Sequence, residues 1–275
     1  MGAERMIPKS GHRFSDKIMR KPDATETSDD AVLGGRLILR QPLRGHRVGH
    51  DAILLAAATA ARSGEHALDL GAGVGGAGLA LAARVSDLKV TLVEIDETLC
   101  SLAAHNVHAN TFDRRVTVLR ADAEDRAALA GLALAPASID RVLMNPPFND
   151  PRRQNVSPDP RRRLAHAGDP GLLARWVRTA AFLLKPHAAL TLIWRADALD
   201  DVLTALADDF GDVGVLPVLP RTGAPAIRVL VRAVRGARPG RRDHPALVLN
   251  DAEGRPTAAA EEILRAGKTF VLNER

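Results

Sequence analysis

With 275 residues, 46% of them hydrophobic, the chain can bury the core of one large α/β domain, and its formal charge of +5 suits a polyanionic partner without requiring one. The longest apolar run, residues 52–61, falls well short of the ~20 residues that span a bilayer, so no membrane-spanning helix is expected. The only cysteine, Cys100, excludes a disulfide framework and a thiolate metal cluster, and the expectation is a soluble cytoplasmic protein in a reducing compartment, with no metal and a monomer favoured.

Residues 1–30 carry six basic and six acidic residues with little apolar periodicity, which predicts a disordered leader and makes Met19 an alternative start. Over residues 32–39 apolar side chains alternate as in a short strand, and residues 51–61 then form an alanine-leucine helix with Asp51 as its expected cap. Beyond it, strand and helix signals alternate in the pattern of a mostly parallel sheet covered on both faces. Strands are expected at 66–70, 89–94, 116–119, 139–144, 188–194, 212–218 and 226–234. Only a Pro-Arg-Thr-Gly-Ala-Pro turn separates the last two, which forces them to pair antiparallel. The expected fold class is therefore α/β: a seven-stranded, mostly parallel Rossmann-like sheet with an antiparallel terminal hairpin and helices on both faces, spanning residues 31–235. Residues 236–275 are read as a surface extension packed on that domain, with a short helix near 258–265.

The segment Leu68-Asp69-Leu70-Gly71-Ala72-Gly73-Val74-Gly75-Gly76 ends the first sheet strand and opens a helix. Gly71, Gly73 and Gly75 let the backbone turn tightly and let a ligand approach the helix N-terminus without a Cβ in the way. Gly71, Gly73 and Gly76 also satisfy the dinucleotide pattern, so a nicotinamide or flavin oxidoreductase is an alternative. Asp69 favours S-adenosylmethionine, since a carboxylate there attracts the ligand's charged amino end and repels a pyrophosphate. Glu94, at the end of the next strand, can accept both ribose hydroxyls, and Asp122, just after the third, can meet an adenine amino group. All three acids fall at the carboxyl ends of successive strands, where open α/β sheets bind ligands. Asp51, beside Gly49, is a further candidate for the other wall of the pocket.

Asn145-Pro146-Pro147-Phe148 directly follows the fourth strand. Two prolines stiffen the chain and remove two donors, which leaves a wall of acceptors. An exocyclic amine is a poor nucleophile because its lone pair is delocalised into the ring. If the Asn145 side-chain oxygen and the Pro146 carbonyl each accept one amine hydrogen, the lone pair is aligned for methyl transfer without a strong base. Phe148 offers a flipped base a stacking face, an interaction of roughly 1 to 3 kcal/mol.

Together the 69–75 loop, Glu94, Asp122 and Asn145-Pro146-Pro147-Phe148 resemble the class I S-adenosylmethionine-dependent methyltransferases that act on amino groups. Gly34-Gly35-Arg36-Leu37, Gln41-Pro42 and Val48-Gly49-His50-Asp51-Ala52-Ile53-Leu54-Leu55 further resemble the tRNA (adenine-N6)-methyltransferases that modify position 37 of a valine tRNA. The resemblance covers roughly residues 32–234 and implies S-adenosylmethionine as cofactor and an adenine of tRNA as substrate. Protein (release factor) glutamine N5-methyltransferases and rRNA guanine N2-methyltransferases share the Asn-Pro-Pro-aromatic element and stand as alternatives. The former usually carry tyrosine in fourth place behind a helical substrate domain, for which too few residues precede the glycine loop here. The latter often carry a histidine where Asn149 stands.

Basic residues cluster twice. Arg152, Arg153, Arg161, Arg162 and Arg163 face a single acid, Asp159, in the loop leaving Phe148, and residues 221–242 hold seven arginines and no acid. Both are candidate contacts for RNA phosphates. His105 and His108 lie on one helix without an evident third ligand and are read as exposed residues, Cys100 as packing, and Trp176 and Trp194 as core or pocket wall.

Overall fold

In the computed structural model, which describes residues 26–44, 47–147, 171–270 and 272, the apolar runs assemble into a nine-stranded sheet preceded by a two-stranded hairpin. The hairpin pairs β1 (Thr27–Val32) antiparallel with β2 (Leu37–Pro42) around Gly34 and Gly35, both left-handed. Residues 27–30, expected at the end of a disordered leader, are therefore strand. Their polarity hides the signal, because they are held by charge and amide pairs from distant residues. Arg40 Nε meets Asp29 Oδ1 at 2.8 Å, and Asp30 Oδ2 accepts from Gln41 Nε2 at 2.6 Å and from Arg47 at 2.5 Å.

The first helix, α1 (His50–Ala58), is capped by Gly49 and not by Asp51. Asp51 sits one residue inside the helix, where its carboxylate meets Arg228 Nε at 2.9 Å. The main alternation follows as β3 (His66–Leu70), α2 (Gly76–Arg84), β4 (Lys89–Glu94), α3 (Glu97–Ala109), β5 (Val116–Arg120), α4 (Arg126–Gly131) and β6 (Ile139–Met144), then α5 (Leu172–Leu183), β7 (Leu184–Arg195), α6 (Leu199–Leu206), β8 (Phe210–Leu219) and β9 (Arg228–Arg235). Side-chain caps fix two of the helix starts: Asp96 accepts from the amides of Thr98 and Leu99 before α3, and Asp125 from that of Ala128 before α4.

The seven expected sheet strands take the order β8-β9-β7-β6-β3-β4-β5. All neighbours from β7 to β5 are parallel, while β9 runs antiparallel to both β7 and β8. Two short strands, β10 (Arg241–Asp243) and β11 (Leu247–Val248), extend the sheet by pairing with β8. One apolar layer joins α1, α2 and the hairpin to one face, and a second packs α5 and α6 on the other. The C-terminal residues do more than lie on the surface: Leu247, Leu249 and Leu272 are buried in the first layer with Ala260 and Ile263 of α7 (Ala258–Leu264). Among the described residues no helix is long and apolar enough to cross a membrane.

Candidate functional site

Parallel register aligns Leu70 with Val93 on one side and with Met144 on the other, and Glu94 with Arg120. Gly71, Glu94 and Asn145 consequently leave the sheet at one edge, with Asp122 two residues past the end of β5. They surround the point where the chain runs outward from β3 to β4 and β5 on one side and to β6 and β7 on the other, the crevice in which open α/β sheets hold ligands.

The glycine loop needs its glycines. Gly71, Gly73 and Gly75 have φ of +75°, +58° and +91°, and a Cβ on Gly71 would lie 2.3 Å from the Trp176 ring. The amides of Gly71 and Ala72 both donate to the Val93 carbonyl, at 2.9 and 2.8 Å. Gly73 N donates to Glu94 Oε2 at 2.9 Å, while Oε1 accepts the amides of Ile95 and Asp96 at 2.8 and 2.9 Å. Three of the roughly four acceptor positions of Glu94 are thus used by backbone, which leaves room for one strong external donor in place of an empty two-oxygen fork.

Asp69 lies under this loop and outside the cleft wall. It is 3% exposed, and its Oδ2 accepts from Gly78 N at 2.7 Å. Burial pushes its carboxyl up to about 7, opposed by the Gly78 amide and assisted by the charge of Glu94. The cleft itself is open to solvent, with Gly71, Glu94, Ile95, Asp122, Arg175 and Trp176 in its wall. Asp122 Oδ1 accepts from Glu124 N at 2.8 Å, and Glu124 is held by both arms of Arg175, at 2.5 and 3.3 Å. Arg175 and Ile95 were not legible as wall residues, because only the docking of α5 brings Arg175 there and Ile95 reads as an ordinary strand-end apolar residue. Trp176, readable as core or wall, is both.

At the end of β6 the Asn145 side-chain oxygen is buried and, among the described residues, has no hydrogen-bond partner. Pro146 behind it is buried and Pro147 exposed. Phe148 and the arginines at 152, 153, 161, 162 and 163 lie outside the described residues.

The second arginine cluster does not gather at this edge. Arg228 and Arg221 stand at the carboxyl edge with Asn145, whereas Arg235 pairs with Phe210 at the opposite end of β9 and β8, and Arg238 follows beyond it. Three of the seven also meet acids from elsewhere in the chain: Arg228 with Asp51, Arg232 with Asp212 and Arg241 with Asp243. His108 pairs with Asp113 on the surface, and among the described residues no His, Cys, Asp and Glu side chains gather as a metal site. Cys100 donates to the Glu94 carbonyl at 3.3 Å, and burial pushes its thiol up, away from a reactive thiolate.

The sequence profile of the methyltransferase small domain matches residues 47–216, which hold every glycine-loop and Asn-Pro-Pro residue described above. A tRNA1(Val) (adenine(37)-N6)-methyltransferase of Porphyromonas gingivalis is 32% identical over 160 residues, or 57% of this chain and 61% of that protein, so the chain spans about three fifths of that relative. A protein of the same name from Aeromonas salmonicida is 31% identical over 214 residues, covering 76% of this chain and 84% of the other. Among solved structures, a predicted O-methyltransferase of Agrobacterium tumefaciens superposes with a TM-score of 0.70 at 28% identity, over 82% of this chain and all of that one.

Proposed function

The chain belongs to the methyltransferase small domain family, and we propose that it transfers a methyl group from S-adenosylmethionine to N6 of an adenine in tRNA. The observation that carries the chemistry is the buried side-chain oxygen of Asn145, which has no partner among the described residues. Leaving a buried acceptor unsatisfied costs about 1–3 kcal/mol, so its position favours a donor that arrives with the substrate. An exocyclic aromatic amine is such a donor, with two hydrogens to give. Asn145 takes one and the Pro146 carbonyl the other, and the nitrogen lone pair is left as the face not engaged by protein. Because Pro146 and Pro147 have no amide hydrogens, their backbone presents acceptors alone.

Bound S-adenosylmethionine supplies an electrophilic methyl group on its sulfonium. On this chain Gly71, Gly73 and Gly75 would let it approach the backbone, Glu94 would accept from a ribose hydroxyl and Asp122 from the adenine amine, and Asp69, on releasing its proton, would place negative charge beneath the amino end. A Cβ on Gly73 would meet nothing within 4 Å, so the loop leaves open space there, and this fits such a ligand. Asp51 closes the substrate side through its tie to Arg228. Phe148 stacks the flipped base, and Arg152, Arg153, Arg161, Arg162 and Arg163 take RNA phosphates. The relatives named for adenine 37 of tRNA1(Val) support adenine over guanine or a protein amide, and a tRNA substrate puts the enzyme in the cytoplasm. The nicotinamide alternative falls with the family.

The test is nucleoside mass spectrometry of unmodified tRNA incubated with the protein and S-adenosylmethionine. N6-methyladenosine is expected, with Asn145→Ala lowering turnover about a hundredfold while S-adenosylhomocysteine binds as before. Full activity in that variant would refute the chemistry, and N2-methylguanosine would move the substrate to guanine.

A further inference from the structure

The N-terminal hairpin contributes no group to the cleft, yet two polar side chains tie it to the glycine loop from opposite ends. Asn106, on α3, is fully buried. Its Oδ1 accepts Arg40 N of β2 at 2.7 Å, and its Nδ2 donates to Arg40 O and to Val74 O, each at 3.0 Å. One amide therefore holds both a hairpin strand and the middle of the loop. The second arm begins at Gln41, which is 2% exposed. Its Oε1 accepts Val48 N at 2.8 Å while its Nε2 holds Asp30. Val48 in turn presses on the first residue of α2, since a Cβ on Gly76 would lie 2.6 Å from a Val48 methyl.

The loop between these points needs outside support. Gly71, Gly73 and Gly75 all have positive φ, a conformation glycine adopts readily and leaves just as readily, so the local sequence does little to hold the bound shape. A site that must be ordered on binding loses affinity to that ordering. Glu94 fixes the Gly73 amide from the sheet side and Asp69 fixes Gly78 from below, which leaves the Val74 carbonyl to Asn106.

We propose that the β1–β2 hairpin is a clamp that preorganises the cofactor loop, with Asn106 as the positioning residue that couples the two and Gln41 and Val48 as its second arm. This rests on the 71–76 loop being the S-adenosylmethionine site. Asn110 supplies an internal control. One turn further along α3, it bonds Ile38 of the same strand through N–H and C=O, at 3.0 and 2.7 Å, but none of its hydrogen bonds reaches the loop.

Calorimetry with S-adenosylhomocysteine, and steady-state kinetics with S-adenosylmethionine and tRNA, test the clamp on the full chain. Asn106→Ala is expected to raise the S-adenosylhomocysteine Kd and the S-adenosylmethionine KM about tenfold, with kcat at saturating cofactor and the tRNA KM within about twofold of wild type. Asn110→Ala should leave the Kd within about twofold, even where its thermal midpoint falls as far. Should Asn106→Ala fail to fold, Gln41→Met cuts the other arm and carries the same expectations. Unchanged cofactor affinity in the folded variant, or an equal loss in Asn110→Ala, would overturn the clamp. Absence of S-adenosylhomocysteine binding to the wild type would overturn the cofactor site itself, and the clamp with it.

Discussion

Asp69→Asn tests whether the carboxylate under the glycine loop is placed at the expense of stability. Burial pushes the Asp69 carboxyl up to about 7 from an ordinary value near 4. Below pH ~4 both folded and unfolded chains hold the proton, so the group has no net effect on stability. Between pH ~4 and ~7 the folded chain keeps a proton that the unfolded chain has released, so stability falls as pH rises through that window. Above it the loss is complete, and three units at ~1.4 kcal/mol each amount to about 4 kcal/mol. Asparagine is neutral throughout, and its side-chain oxygen can still accept from Gly78 N, the one bond the carboxylate makes there. Urea titrations from pH 4 to 8 should show the variant equal to wild type at the acid end and several kcal/mol more stable at the alkaline end. A stability difference independent of pH, or a variant less stable at pH 8, would refute the reasoning. If the charge serves the cofactor's amino end, the same variant binds S-adenosylhomocysteine more weakly. Wild-type binding near pH 6.5 then releases a proton, visible as a buffer-dependent binding enthalpy.

Gly71→Ala should cost about 1–2 kcal/mol from its positive φ alone, displace the Trp176 ring that its Cβ would meet at 2.3 Å, and weaken S-adenosylhomocysteine binding. A shift in tryptophan emission and its partial reversal in Gly71→Ala with Trp176→Leu would report that contact, and unchanged emission would deny it. Arg228→Met leaves Asp51, 29% exposed, without its ion-pair partner and should cost about 1–2 kcal/mol, most of it recovered on adding Asp51→Asn. Additive losses in that cycle would show that the pair carries no coupling.

The central strands were legible because a parallel strand covered on both faces is apolar along its length: β3 is buried at four of its five positions and β4 at five of its six. The same rule hides β1 and β10. β1 alternates exposed and half-buried positions, and its polar residues are held by partners eleven or more positions away, information that no local window contains. β10 is exposed at all three positions and exists only because the first half of β8 offers a free edge. The site divides in the same way. Glu94, Asp122 and Asn145 could be picked out because a strand end followed by a turn fixes where a side chain must stand. Asn106 and Gln41 carry no such mark. A buried amide inside a helical or strand pattern reads as an ordinary polar residue until the loop it holds is folded against it.

The second arginine cluster shows how a sequence density can dissolve in three dimensions. β9 carries Arg228 at one end and Arg235 at the other, and seven steps of ~3.3 Å separate them by ~23 Å across the sheet. A nucleotide presented to Asn145 can use only the near end. The groups assigned to the cofactor all come from β3, β4 and β5, so on the proposed reading the substrate would approach over β7, β9 and β8, where Arg195, Arg228 and Arg221 stand. Two of those charges are already matched, Arg195 by Asp197 and Arg228 by Asp51, which leaves that half of the edge only weakly attractive to phosphate. On the proposed reading, the long-range pull on RNA is assigned to the five arginines from 152 to 163. They begin five residues after Pro147, and the one acid among them is Asp159.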